Sequence, residues 1–240
     1  MSVARYIPKQ HGAWAMLVLP FLAGAVSEGK MIHIPLFLCW LFIYLFSFPV
    51  LQWIKTGNKA RYRGPALLYG VILLPLTAIL IAFDPMLIGY GVLLLVFFIP
   101  NIYYAKTKNE RALLNDFTAV LVFCSFIFPV VYVGKGGSRS YGEAAELFAL
   151  LSAYFIGTVL YVKTVIREKN NPRFYYASIT YHLLNIGIAA AVNLYMIFPA
   201  MILLLRAAWF PTLSLKVKQI GMAEFGFAAL IYGSILFVYV

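Results

Sequence analysis

The side chains best suited to chemistry in this sequence are cations and amides gathered where apolar runs end. Lys163 and Arg167 close the run Thr158-Val159-Leu160-Tyr161-Val162-Lys163-Thr164-Val165-Ile166-Arg167. At a spacing of four they stack on adjacent helical turns, and two such cations repel unless an anion sits between them. The alternative is that both reach outward to lipid phosphates. Asn101, Tyr104 and Lys108 recur at a helical spacing that places them on one face. Arg111 follows, and Asn115-Asp116 open the next apolar run, where Asp116 either caps the helix or pairs with Arg111. Lys55 and Arg61 share another connector, Arg173 lies just beyond Arg167, and Lys9 and His11 lead into the first apolar run ahead of the interfacial Trp14. Together these residues form a candidate binding set for an anionic head group. Lys and Arg neutralise phosphate or carboxylate directly, Arg through its bidentate fork.

His182 is of another kind. It lies about 12 Å inside its apolar run at 1.5 Å per residue, with Asn185 one turn away. At that depth an ionisable group faces the protein interior or a wet cavity. A neutral, hydrogen-bonded core histidine and a cavity residue are the two readings. Asp116 and His182 are the candidates for any acid–base chemistry. No His-x-x-x-His, Cys-x-x-Cys, Walker loop or dinucleotide fingerprint occurs, and no connector carries paired carboxylates at helical spacing. Neither a metal site nor a cofactor is expected.

The elements that must position these groups follow from composition. Of 240 residues, 63% are hydrophobic and 11% charged, with 17 Tyr, 20 Phe and 4 Trp. Soluble domains carry about 45–50% and 25%, so the solvent for most of this chain is lipid. That excludes a soluble enzyme and a nucleic-acid module, despite a net charge of +11. Cys39 and Cys124 lie in apolar runs and read as packed thiols. Apolar segments fall at about 12–27, 32–54, 66–82, 86–105, 113–133, 144–166, 174–192, 194–209 and 221–240. These predict an all-α bundle, one integral-membrane domain over 1–240, with about nine transmembrane helices. The division at Asn193 is the least defined, with eight spans as the alternative.

With the N-terminus cytoplasmic and the C-terminus outside, all but Lys30, Lys135 and Arg139 of the 19 basic residues fall inside. The acidic residues divide evenly, as the positive-inside rule expects. Eight spans would put the basic 206–218 stretch outside. The first run loosely imitates a signal peptide ending Ala23-Gly24-Ala25. The later spans need no such leader.

Three segments carry a family resemblance. Pro8-Lys9-Gln10-His11-Gly12-Ala13-Trp14-Ala15-Met16, the stretch from Arg111 to Asn115-Asp116, and the stretch from Arg167 through Pro172-Arg173-Phe174 resemble the bacterial YwiC-like membrane proteins. A more distant likeness is to the UbiA superfamily of intramembrane prenyltransferases, and Tyr104-Ala105-Lys106-Thr107-Lys108 fits their Tyr-x-x-x-Lys ending of helix four. That likeness implies nine helices, an N-terminus inside and a cavity roofed by cytoplasmic loops. The superfamily binds Mg²⁺-diphosphate through Asn-Asp-x-x-Asp and Asp-x-x-x-Asp. Here Gln52 to Arg61 contains no carboxylate, and the second motif is replaced by Lys163-x-x-x-Arg167. The electrostatic sign is inverted at both places, which argues against Mg²⁺-dependent prenyl transfer.

The expected partner is therefore a membrane lipid or anionic amphiphile in a basic cytoplasm-facing cavity, its head group held by Lys9, His11, Lys55, Arg61, Asn101, Tyr104, Lys108, Arg111, Asn115, Lys163, Arg167 and Arg173 and its tail by the Phe-rich interior. If a reaction follows, it is a metal-independent transfer. A carrier for a small anion or amphiphile is the second reading, supported by His182 and the helix breaks at Pro75, Pro100 and Pro129. A non-catalytic membrane subunit or assembly factor is the third. The expected location is the bacterial inner membrane.

Overall fold

A computed structural model of the protein describes residues 6–8, 11–26, 28–135, 141–213 and 215–240. Every regular element among the described residues is helical. The helices are α1 (His11–Gly24), α2 (His33–Thr56), α3 (Lys59–Phe83), α4 (Leu87–Lys106), α5 (Leu113–Ser125), α6 (Ile127–Lys135), α7 (Tyr141–Ile166), α8 (Pro172–Val192), α9 (Ile197–Trp209) and α10 (Val217–Tyr239). Helices α5 and α6 are one rod broken at Phe126. Pro129 has no N–H to give the carbonyl of Ser125, and its ring crowds that carbonyl, so the backbone kinks there.

Seven segments are long and apolar enough to cross a membrane, with α5–α6 counted as one and α9 extended by its flanking turns. The other two are α1 and α8. With 14 residues, α1 reaches about 21 Å at 1.5 Å per residue, short of the roughly 30 Å hydrocarbon core. It is sheathed by protein, with Leu17, Leu19 and Ala23 buried against α5, α6, α7 and α10. In α8, Ser178, His182, Asn185 and Ala189 form one buried stripe, while Leu183, Leu184 and Ile188 face outward. Polar side chains point in and apolar ones out, so the average hydropathy understates how well α8 suits lipid. The boundary at Asn193 is real. Asn193 takes an extended conformation, its side chain caps the turn Leu194–Met196, and α9 starts afresh at Ile197.

The hydrophobic interior divides into two lobes. One joins α1, α5, α6 and α7–α10 around Leu147, Leu151, Phe155, Leu203 and Ile235. The other joins α1–α6 around Leu17, Trp40, Phe126 and Val130, with the Trp40 and Phe126 rings stacked at 4.4 Å. Helices α1, α5 and α6 belong to both lobes. The α2–α3 hairpin turns at Gly57, whose φ of 69° favours a residue without Cβ, and Asn58 caps α3 by accepting from Arg61 N–H at 3.1 Å.

Candidate functional site

Two polar assemblies are built on this frame, and α7 contributes to both. The first lies at the end of the bundle where α2, α4 and α7 finish and α3, α5 and α8 begin. Lys55 Nζ meets Glu110 at 2.6 Å, tying α2 to the α4–α5 connector. Asn101 Nδ2 donates to Asn115 Oδ1 at 2.8 Å, and Asn115 Nδ2 donates to the Glu110 carbonyl at 2.8 Å. Lys163, only 7% exposed, donates to Asp116 at 2.8 Å and to the Arg111 carbonyl at 2.8 Å.

Asp116 thus pairs neither with Arg111 nor with its own helix start. A buried ammonium must find an anion, and Asp116 is the one in reach, while the Arg111 side chain is exposed. The stacked Lys163–Arg167 clamp does not form either. Helix α7 stops at Ile166, Lys163 turns inward to α5, and Arg167 is exposed. Arg61, Lys108 and Arg173 are exposed at the same end, Arg61 lying over the Tyr62 ring at 5.4 Å, and Tyr104 is half-buried. Lys9 lies outside the described residues, and His11 is described only as the opening residue of α1.

The backbone at this end is unusual at two places. Lys108 and Asn170 adopt positive φ, 57° and 73°, in the α4–α5 and α7–α8 connectors. Asparagine tolerates this conformation; for lysine it costs about 1–2 kcal/mol, which glycine would avoid.

The second assembly is buried between α7, α8, α9 and α10. Arg206 is 2% exposed and its Nη1 donates to Glu224 at 2.8 Å. Its guanidinium lies 4.4 Å from the Tyr161 ring and 4.9 Å from the Phe227 ring, so two aromatic faces add to the stabilisation of its charge. His182, 1% exposed, has Nδ1 2.7 Å from the Ser178 carbonyl. A carbonyl only accepts, so Nδ1 carries the proton, and Nε2 presents a lone pair to Arg206 Nη2 at 3.4 Å. His182 is therefore the neutral, hydrogen-bonded interior histidine, and it also belongs to a charged cluster. Thr158 Oγ1 lies 3.5 Å from Arg206 Nη2, and Asn185 Nδ2 donates to the Ala153 carbonyl at 3.0 Å. Several buried polar atoms here have no hydrogen-bond partner among the described residues: Tyr161 OH, Ser178 Oγ, Asn185 Oδ1, Arg206 Nε and Glu224 Oε1.

Arg206 and Glu224 are not the connector residues that the charge count implies; each lies on the inward stripe of its helix. Pro199, Ala200, Leu203, Arg206 and Ala207 form the buried face of α9, while Ile220 and Ile231 share one face of α10 with Glu224. Helical spacing was the signal that marks them, because each breaks an otherwise apolar face of a candidate span. Glu224 stands seven residues into α10, about 10 Å, and His182 ten residues into α8, about 15 Å.

Gly157 makes this packing available. A Cβ there would lie 3.1 Å from His182 Nε2 and 3.3 Å from Asn185 Nδ2. Gly157→Ala is expected to push α8 off α7 and lower stability by about 1–3 kcal/mol. A shift of the thermal unfolding midpoint in detergent reads this, and Gly187→Ala, where a Cβ meets nothing, serves as the control.

Fold and site together define a multi-pass helical membrane protein with a basic end and a buried Arg–Glu–His cluster. The chain belongs to the YwiC-like family, whose model matches residues 7–132. It is 44% identical over 220 residues to "Uncharacterized protein YwiC" of Bacillus subtilis (strain 168), covering 91% of each chain. It is also 32% identical over 234 residues to an "Uncharacterized protein" of Haemophilus influenzae, covering 94% of this chain and 95% of that one. No solved structure matches the chain, so the likeness to the UbiA superfamily rests on the sequence pattern alone.

Proposed function

We propose that the protein, lying in the bacterial cell membrane with its N-terminus cytoplasmic, binds an anionic amphiphile at its basic end. The carrying observation is the bookkeeping of charge there. Glu110 and Asp116 are taken up by Lys55 and Lys163, and Glu168 accepts from Asn171, while Arg61, Lys108, Arg111, Arg167 and Arg173 are exposed, with no carboxylate partner among the described residues. Lys55, Asn101, Asn115 and Lys163 then hold the connectors in place, and the exposed cations meet the head group. The tail lies along the apolar outer faces of the helices.

Native mass spectrometry of the full chain, extracted with its lipids, is expected to find a phosphorylated lipid or isoprenoid bound. The Arg111→Gln/Arg167→Gln variant is expected to lose it while staying folded. Failure of the unmodified chain to retain or rebind any such lipid would sink the reading. Lys108→Gly separates charge from structure. Glycine relieves the positive φ and adds an unfolded-state entropy cost of about 0.5–1 kcal/mol. The midpoint is therefore expected to hold or rise while lipid retention falls.

A second reading, a carrier for small anions, is favoured by the buried Arg206–Glu224 pair with its unpartnered neighbours. Ionisable groups at such depth characteristically mark substrate or proton paths. Anion flux into proteoliposomes above that of empty vesicles tests it.

A further inference from the structure

We propose that Arg206 and Glu224 form a site where one proton and one small monocarboxylate bind together, the carboxylate replacing Glu224 on the guanidinium. The inference gives the carrier reading its substrate class and coupling, and depends on that reading for its purpose. The starting point is that Arg206 is buried deeply enough that its charge always needs an anion beside it. Glu224 is that anion in the structure. If Glu224 takes a proton, the guanidinium is left uncompensated unless another anion arrives. If an anion arrives while Glu224 keeps its charge, the site carries a surplus negative charge. Neither half-step is favoured in a medium of low dielectric constant. The full step is electroneutral: Arg⁺·Glu⁻, H⁺ and RCOO⁻ give Arg⁺·RCOO⁻ and GluH. No covalent bond other than O–H on Glu224 forms.

A carboxylate is the natural occupant because the guanidinium edge already accommodates one, and the fork of Arg matches its two oxygens. Unused polar atoms are present to complete the exchange. Arg206 Nε and Tyr161 OH stand ready to donate, and Glu224 Oε1 to take the proton. Room for a short apolar tail lies about one turn away along α9, where Leu203 precedes Arg206. A cavity of about 40 Å³ is lined by Tyr154, Asn185, Leu203 and Ile231, and a water-sized group needs about 10–15 Å³. Tyr154 joins the two regions, lining the cavity and lying near Thr158 and Arg206.

The groups facing Glu224 set which of them takes the proton. Arg206 approaches from α9, Tyr154 and Tyr161 from α7, and His182 stands behind Arg206 on α8. Among the described side chains α1 brings no titratable group, Lys216 and Lys218 are exposed at the start of α10, and at its other end Tyr195 meets Phe237 edge-on and Glu146 of α7 accepts from Tyr239. His182 is the one rival, and its Nε2 already accepts from the guanidinium, so a proton there would face a cation.

Acetate binding to the purified full chain in detergent, with proton uptake followed by an indicator dye at weak buffering, decides the matter. Uptake of about one proton per acetate is expected between pH 6 and 7, with affinity falling about tenfold per pH unit. Chloride at equal ionic strength is expected to bind far more weakly. Glu224→Gln is expected to bind acetate with no proton uptake and a flat pH profile, and to be stabilised thermally by acetate. His182→Gln is expected to keep the uptake. Acetate binding without uptake overturns the proposal, as does uptake that survives Glu224→Gln or vanishes in His182→Gln, or no acetate binding by the folded protein. These readouts need no flux, so coupled binding that succeeds while proteoliposome flux fails removes the carrier reading and leaves the site.

Discussion

Glu224→Gln is expected to destabilise the protein by about 3–5 kcal/mol in anion-free buffer, the range found when one partner of a buried ion pair is removed. The side chain of Arg206 is fully buried and that of Glu224 is 18% exposed, so the pair is asymmetric. Removing the carboxylate strands a guanidinium that water does not reach and that cannot lose its proton. Removing the guanidinium strands a carboxylate nearer the surface, which escapes by taking up a proton. Arg206→Gln should therefore cost less than Glu224→Gln. The double change Arg206→Leu/Glu224→Leu removes both charges and fills the space with apolar groups, an exchange that is often neutral or stabilising. The expected order of unfolding midpoints is Glu224→Gln lowest, Arg206→Gln next, and the double variant nearest the parent. A double variant as unstable as Glu224→Gln would show that shape, rather than charge, holds α9 to α10.

The cluster that makes this prediction was only partly legible in the sequence. Helical period and composition reveal the bundle, its helix-rich class and the break at Asn193, because these depend on local patterns that survive burial. His182 stands out for the same reason, being polar within an apolar run. Arg206 and Glu224 do not stand out when charges are tallied by connector. Such a tally assigns both to the ends of the spans, although each falls on the inward face of its helix. Their meaning comes from facing each other across a gap of eighteen positions in sequence, which no single-helix pattern encodes. The same limit applies to Lys163. Its spacing to Arg167 is visible in one dimension, but the competition between Arg167 and Asp116 for its neighbourhood is settled by how α5 packs on α7.

Both assemblies follow one rule: a buried cation is matched internally, and the unmatched cations sit outside. Lys163 is to Asp116 what Arg206 is to Glu224. The surplus basic charge of the chain therefore lies at the exposed basic end. This division separates a surface that attracts anions from an interior that exchanges one anion for another, and it explains why the two assemblies should respond differently to substitution.

That difference is sharpest for Lys163 and Arg167, four positions apart yet expected to behave oppositely. Lys163→Gln removes two charge-assisted contacts, to Asp116 and to the Arg111 carbonyl, each at 2.8 Å. Hydrogen bonds to charged groups contribute about 1.5–3 kcal/mol. Asp116, with a side chain 28% exposed, is partly hydrated once unpaired, which keeps the loss toward the lower part of that range. Arg167→Gln touches no such partner and is expected to change stability by less than about 0.5 kcal/mol, as exposed substitutions do. Lipid retention should reverse the ranking, with Arg167→Gln weakening it and Lys163→Gln acting only through the displaced α4–α5 connector. Asp116→Asn completes the test by leaving Lys163 buried with a carbonyl alone. It is expected to lower the midpoint at least as far as Lys163→Gln, because the stranded charge is then the deeper of the two. Equal stability of the Lys163 and Arg167 variants would mean that both lysine and arginine face the head groups, and the inward tether between α5 and α7 would have to be abandoned.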